Sequence, residues 1–497
     1  MRHLPVRANE ASSGGTDLGV TARPAMRSGL PVAVVFAALA SRPIGDNGVL
    51  SHLAIGRLQL DAGLPATNPF LYSSTEFPVP SWWWSWTLAA TERSFGGVGL
   101  RLLGAALGAA LGLLLVRLVV AGLGGPNSPA LDRVRVLAVV VPCAFVAVIV
   151  MPFLNLRPHL VGFLLLGAAL VVLLEGRSPW WLLPVFATWV NVHGSWLYGV
   201  AVVGALVVAR AIDDRWTDGR RIDGAAVARV GAALGGVVLG ATLSPDRFSP
   251  LVLPWRQMGD PLERAALRSY DEWAALGPGD PAAWALVALG LVAVAGALRN
   301  RRIATGALCL ALIVLGLSSS RLAPIAAIVL VPLVAPALVG VGSTALPTGR
   351  SARLMGIATA AVAAAVFVSA LAGPALRLER YPVAAVDWLD DRGLATEPVR
   401  LASHDYVGNY LSWRHGAATN TFVDDRPSAE TLIAYRQLLR LEDGWEAVLD
   451  TAAPDVIVWN SRSRLTAELA EDPSWFRATD LDGFTVFCRA AWADRCS

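Results

Sequence analysis

The residues of this chain best suited to chemistry gather just past the ends of its apolar runs. The first group lies in SRPIGDNGVLSHLAIGRLQLDAGLPATNPF, residues 41–70, where Asp46, His52 and Arg57 follow a hydrophobic segment within a few turns of chain. Arg157 and His159 open a later apolar run, Asn191 and His193 close another, and Arg321 stands between two more. A carboxylate takes a proton, and a guanidinium grips an oxyanion through parallel N–H groups, so the set suits proton transfer beside a bound anion. Each residue also has a plainer reading. Gly45-Asp46-Asn47-Gly48 is turn chemistry in itself. His52 and Arg57 sit in an amphipathic stretch that suits a membrane interface. Asn191 and His193 suit a helix end whose backbone needs partners, and Arg321 suits a snorkelling position.

The elements that must position these groups are membrane helices. Of 497 residues, 55% are hydrophobic and only 16% charged, outside the range of ordinary soluble domains. The net charge of +3 comes from 41 basic residues, all Arg, against 38 acidic ones, which supplies no basic field for nucleic acid. Apolar runs long enough for a bilayer core of about 30 Å fall near 28–44, 97–123, 134–152, 159–175, 179–192, 195–212, 224–243, 282–298, 303–320, 322–341 and 354–375. This predicts about eleven transmembrane helices behind a disordered cytoplasmic tail over 1–27. The first and fifth runs are short enough to be partly re-entrant.

Arginine placement sets the expected orientation. Arg133 and Arg135, Arg177, the groups at 210–221 and 299–302, and Arg350 with Arg353 share the cytoplasmic side with the N-terminus. Loops 45–96 and 244–281 and residues 376–497 then lie on the opposite face. The last of these reads as a small α/β domain, with VRLASHD, TNTFVDD and PDVIVWN of strand length, helical spacing in YPVAAVDWLDDRG before them and in SAETLIAYRQLLRLEDGWEAVLDTAA between the last two, and a hairpin about Asp482-Gly483. Of the four Cys, Cys488 and Cys496 read as free thiols, a disulfide being the alternative if that end is external, and no Cys/His spacing suits a structural metal.

Inside the apolar runs the only acid is Glu175, at one end of the fourth, which argues against an ion-coupled carrier. The external polar segments point elsewhere. DNGVLSHLAIGRLQLDAGLPATNPFLYSSTEFPVPSWWWSWTLAA resembles the first external loop and Trp-rich helix of bacterial polytopic proteins of the GT-C glycosyltransferase type. LRPHLVGFLLLGAALVVLLEG, ATWVNVHGSWLYG and GNYLSWRHGAATNTFVDDRPS are similar to that group's later motifs, in the same order.

The resemblance implies a GT-C-like helical membrane fold and transfer of a sugar from a polyprenyl-phosphate carrier to an acceptor at the outer face. It makes Asp46 the candidate general base. His52, Arg57, Arg157, His159, Asn191, His193 and Arg321 become substrate-binding candidates, with Arg157, Arg321 and Arg57 as phosphate holders. The expected partners are the lipid-linked sugar, membrane lipid and an acceptor of unstated class, and not nucleic acid.

The chain departs from the pattern where a second acid is expected: Gly48 stands there, and Asn68 replaces the acid before Pro69-Phe70. A divalent metal held by paired acids would lose one ligand, and no other cofactor follows from the residues. Gly48 also favours a second reading, a non-catalytic scaffold or binder of lipid-linked glycan on the same frame. The tryptophans of SWWWSW suit interfacial anchoring before sugar stacking. Asp424, Asp425 and Arg426 suit structural pairing before a helix, with acceptor binding second.

Overall fold

The computed structural model describes residues 23–125, 136–219, 224–267, 271–338 and 350–497. The expected tail up to residue 22, and Arg133, Arg135, Arg220 and Arg221 of the basic face, lie outside these residues, whereas 23–27 already belong to the first helix. In chain order the helices are α1 (Arg23–Ala40), α2 (Asn47–Asp61), α3 (Trp82–Gly122), α4 (Val136–Val150), α5 (Pro158–Leu174), α6 (Leu182–Val192), α7 (Trp196–Asp218), α8 (Gly224–Leu243), α9 (Ser249–Gly259), α10 (Pro261–Leu267), α11 (Pro281–Arg299), α12 (Ile303–Ser318), α13 (Ala323–Val334) and α14 (Arg350–Ala372). All but α2, α9 and α10 fall on the eleven expected apolar runs.

Among the described residues, five helices (α3, α7, α8, α11 and α14) are long and apolar enough to cross a bilayer, and five shorter apolar ones run 10–17 residues. The 11-residue α6 rises only about 16 Å and reaches roughly half-way through a hydrocarbon core. The Trp-rich stretch and the following span merge into the single element α3, bent at Gly96, whose φ of 59° a glycine adopts without strain. Only 6% of the apolar window of α14 is buried by the rest of the chain, so this helix presents its surface to lipid.

The C-terminal part contains α15 (Val383–Asp391), β1 (Leu401–Ser403), α16 (Asp405–His415), α17 (Ala429–Arg440), α18 (Trp445–Ala452), β2 (Val456–Asn460), α19 (Arg464–Glu471), β3 (Trp475–Leu481), β4 (Phe484–Arg489) and α20 (Ala493–Cys496). The sheet order is β1-β2-β4-β3, with β1 parallel to β2 and the other pairs antiparallel. Alternation along β2 sends Val456 and Val458 into one apolar layer and Ile457 and Trp459 into the other. The β3–β4 hairpin turns at Asp482 and Gly483, both at positive φ.

Two expectations are corrected here. TNTFVDD is not a strand of the sheet: Thr421 bridges Leu401 on one side and Leu71 of the first loop on the other. Its N–H donates to the Phe70 carbonyl at 3.0 Å, and its carbonyl accepts from Tyr72 N–H at 3.1 Å, so the segment stitches the first loop to the C-terminal part. Cys488 and Cys496 are not free thiols, because β4 and α20 bring them together as a disulfide.

Candidate active site

Asp46 is held from three directions. Ile44 just before it exchanges backbone hydrogen bonds with Ala375 and Arg377 beyond α14. Asp46 itself caps α2, its Oδ1 accepting from the Gly48 N–H at 2.9 Å. Beneath it Val49 and Leu53 of α2 pack with Trp84, Leu88 and Leu100 of α3, and with Leu156 and Val192, while Leu50 enters the core of the C-terminal part. A capped, doubly packed helix start thus fixes one carboxylate at the end of the first apolar helix.

The carboxylate opens a chain of alternating charges. Arg157 donates from Nε to Asp46 Oδ1 at 2.5 Å, from Nη1 to Glu272 Oε1 at 2.6 Å and from Nη2 to Asn47 Oδ1 at 3.3 Å. The second Glu272 oxygen accepts from Arg321 Nη1 at 3.2 Å, and the Arg321 guanidinium lies over the Trp273 ring. Asp46 Oδ2 accepts from Asn155 Nδ2 at 2.8 Å. Asp46 and Arg157 side chains are each 20% exposed, so this pair is poorly screened by water. Burial raises the Asp46 carboxyl above its ordinary range, with the Arg157 charge and hydrogen bond and the Gly48 N–H opposing the rise. For Arg157, burial acts against the charge and is outweighed by Asp46, Glu272 and Asp425, so its proton is held more tightly than usual.

Three more candidates stand around this chain. His52 Nδ1 lies 2.8 Å from Ser85 Oγ, and burial pushes its imidazole down to about 3, leaving it neutral at physiological pH. His159 Nε2 donates to the Phe153 carbonyl at 2.8 Å, and its ring meets that of His193 edge-on at 6.2 Å. His193 Nδ1 is 2.7 Å from Ser195 Oγ.

Asn191 and Arg57 have structural partners. Asn191, 2% exposed, donates to the Ala187 and Gly240 carbonyls and accepts from Trp82 Nε1 at 2.7 Å. Arg57 lies ten residues along α2 from Asn47, about 15 Å away. It makes a two-pronged pair with Glu92 at 2.8 Å, donates to the Trp413 carbonyl at 2.7 Å and rests over the Trp413 ring. Its fork is filled by α3 and α16, and it braces α2 between them.

The tryptophans divide in the same way. Trp82 holds Asn191 and Trp84 donates to the Leu156 carbonyl at 2.8 Å, whereas Trp83 and Trp86 are exposed as interfacial residues are.

One acid of the site, Glu272, escapes a reading of the sequence, and a second, Asp425, stands beside Arg157 although the sequence suited it to structural pairing first. Glu272 is a single carboxylate in a mixed-charge loop, placed by the short turn Asp271–Trp273 before α11. Its Ser319–Arg321 neighbours bond its own backbone: Ser320 Oγ and Arg321 N–H both donate to the Glu272 carbonyl. Asp425 belongs to the VDDRP stretch. Asp424 takes the structural role there, fully buried and paired with Arg426 at 2.7 Å, while Arg426 lies over Phe70 and Phe77 of the first loop. Asp425 Oδ1 lies 3.5 Å from Arg426 Nε as an ion pair without a hydrogen bond, and its charge also acts on Arg157 and His52.

No family model matches the chain, and no curated protein does. Solved structures do. One is the archaeal oligosaccharyltransferase AglB from Archaeoglobus fulgidus in complex with an inhibitory peptide and a dolichol-phosphate, at TM-score 0.51 and 11% identity over 93% of this chain and 74% of that one. Another is the oligosaccharyltransferase of the same organism tethered to an acceptor peptide containing the NVT sequon, at 0.50 and 12% over the same shares. ArnT from Cupriavidus metallidurans bound to undecaprenyl phosphate aligns at 0.40 and 14%, over 95% and 99%. The oligosaccharyltransferase likeness runs nearly the whole length of the chain and gives its fold as a GT-C-like multi-pass membrane bundle with a small C-terminal sheet.

Proposed function

We propose that this protein is a membrane glycosyltransferase that moves a sugar from a polyprenyl-phosphate carrier to an acceptor hydroxyl at the extracytoplasmic face. The observation that carries the reading is the Asp46–Arg157–Glu272–Arg321 chain, assembled from four separate connections at the ends of apolar helices. In the reaction the acceptor oxygen attacks the anomeric carbon, its proton passes to Asp46, and the bond from that carbon to the phosphate oxygen breaks with inversion. The electron pair leaves on the carrier phosphate, which Arg157 and Arg321 stabilise as an oxyanion. The raised Asp46 carboxyl is a better proton acceptor than an exposed aspartate. One in-plane lone pair of Oδ2 is left beside the Asn155 bond. His52, His159 and His193 stand beside this chain with ring nitrogens that can bond the substrate, and the carrier's tail lies among the apolar helices.

The test is release of polyprenyl phosphate from a radiolabelled carrier-linked sugar by the purified protein in detergent or liposomes. Turnover above a protein-free control is expected. Carrier binding without turnover would replace the reading by that of a binding scaffold, an alternative favoured by the hydrogen bonds on both Asp46 oxygens.

The same reading places the C-terminal part outside the cytoplasm. The Cys488–Cys496 disulfide supports this, since such bonds persist in oxidising compartments. Alkylation of the denatured, unreduced chain should tag only Cys143 and Cys309, and all four cysteines after reduction. Tagging of Cys488 and Cys496 without reduction would overturn the assignment.

A further inference from the structure

We infer that the Arg157 guanidinium holds the place a divalent cation would take between Asp46 and Glu272, and that this centre grips phosphate without a metal. The inference rests on the glycosyltransferase reading. Two carboxylates from distant loops converging on one point are the ordinary means of holding a hard cation. Here both point an oxygen at the same guanidinium, at 2.5 and 2.6 Å, with the Asn47 amide oxygen at 3.3 Å. The other Asp46 oxygen accepts an N–H of Asn155. It therefore faces a donor where a metal ligand would face the ion.

Gly48 shows why the arrangement excludes a metal. A Cβ added there would lie 2.7 Å from Arg157 Nε, 2.8 Å from Nη2 and 2.9 Å from Cζ. The guanidinium rests against bare backbone at the very position where the resembling motif carries its second acid. An acid at 48 and this Arg157 placement are mutually exclusive, so the glycine and the arginine form one device. A dication beside Asp46 would meet a fixed positive charge, and among the described residues no group of three or more His, Cys, Asp or Glu is placed to hold one. Of the five guanidinium N–H groups, three are engaged by Asp46, Glu272 and Asn47, which leaves two for phosphate oxygens.

The experiment titrates the purified full-length protein with Mn²⁺ by calorimetry and, separately, measures carrier turnover in EDTA. Wild type should show no saturable Mn²⁺ binding that Asp46→Asn removes, and its turnover should change less than twofold in EDTA. The double variant Gly48→Asp with Arg157→Ser, checked for folding by its elution profile, should gain saturable Mn²⁺ binding that wild type lacks and that adding Asp46→Asn removes. Mn²⁺ binding by wild type that Asp46→Asn abolishes, EDTA inhibition reversed by Mn²⁺, or a folded double variant that binds no Mn²⁺ would each overturn the inference. Absence of turnover with any carrier-linked sugar would count against the glycosyltransferase reading instead, and the titration would still decide the metal question.

Discussion

Arg157→Ala should abolish carrier turnover and lower the unfolding free energy by about 3 kcal/mol, the lower end of the range for breaking a buried ion pair. The loss is large because Arg157 answers two carboxylates at once, Asp46 and Glu272, and the Asp46 side chain is only 20% exposed. Removing the cation leaves Asp46 with its Gly48 and Asn155 donors but no counter-charge. Structural and catalytic roles separate in a second variant: combining Arg157→Ala with Asp46→Asn removes the stranded charge and should recover part of the stability while turnover stays lost. Thermal unfolding in detergent and a double-mutant cycle measure the coupling, expected between 0.5 and 3 kcal/mol for contacting groups. Arg157→Lys should keep most of the stability and still lose turnover, since an ammonium cannot span Asp46, Glu272 and Asn47 with separate fixed donors. If Arg157→Ala left turnover intact, the anion-gripping role would be lost.

What the sequence could reveal divides by the range of the interactions. Apolar runs need only local composition to become helices, and all eleven did so, including the short 179–192 run that ends as α6. The Asp482-Gly483 hairpin was legible because turn chemistry is confined to adjacent residues. Arg157 and Asp46 were both visible as unusual charges beside apolar runs, but not their direct pairing, since 110 residues lie between them. Glu272 gave no local signal at all. The bonds that Ser319 Oγ, Ser320 Oγ and the Arg321 N–H make to its carbonyl tie that loop to the site from residues almost fifty positions away. The Arg57 pair was illegible for the same reason: its partner Glu92 lies on another helix, and nothing near it in sequence announces the contact. TNTFVDD has strand composition, yet its partners Leu71 and Leu401 belong to a loop and a three-residue strand, so it bridges where a longer neighbour would have extended a sheet. Gly48 read first as a missing acid. Its neighbour in space makes it a seat for a guanidinium.

Asp46→Asn should reduce kcat by about 10²–10⁴-fold, the usual worth of a general base, while carrier binding changes far less. Asparagine keeps the size of the side chain and an oxygen able to accept the Gly48 N–H, so the cap of α2 survives and misfolding does not explain a loss of rate. What disappears is the basic lone pair and the charge facing Arg157. The pH profile supplies the sign. Burial raises the wild-type carboxyl above the ordinary aspartate range, so it takes up a proton, and the rate falls, at a higher pH than an exposed aspartate would require. The residual activity of Asp46→Asn should lack that acid limb. Full turnover in the variant would remove Asp46 from proton transfer and leave Asp425, ion-paired with Arg426 and close enough for its charge to act on Arg157 and His52, as the carboxylate to test next.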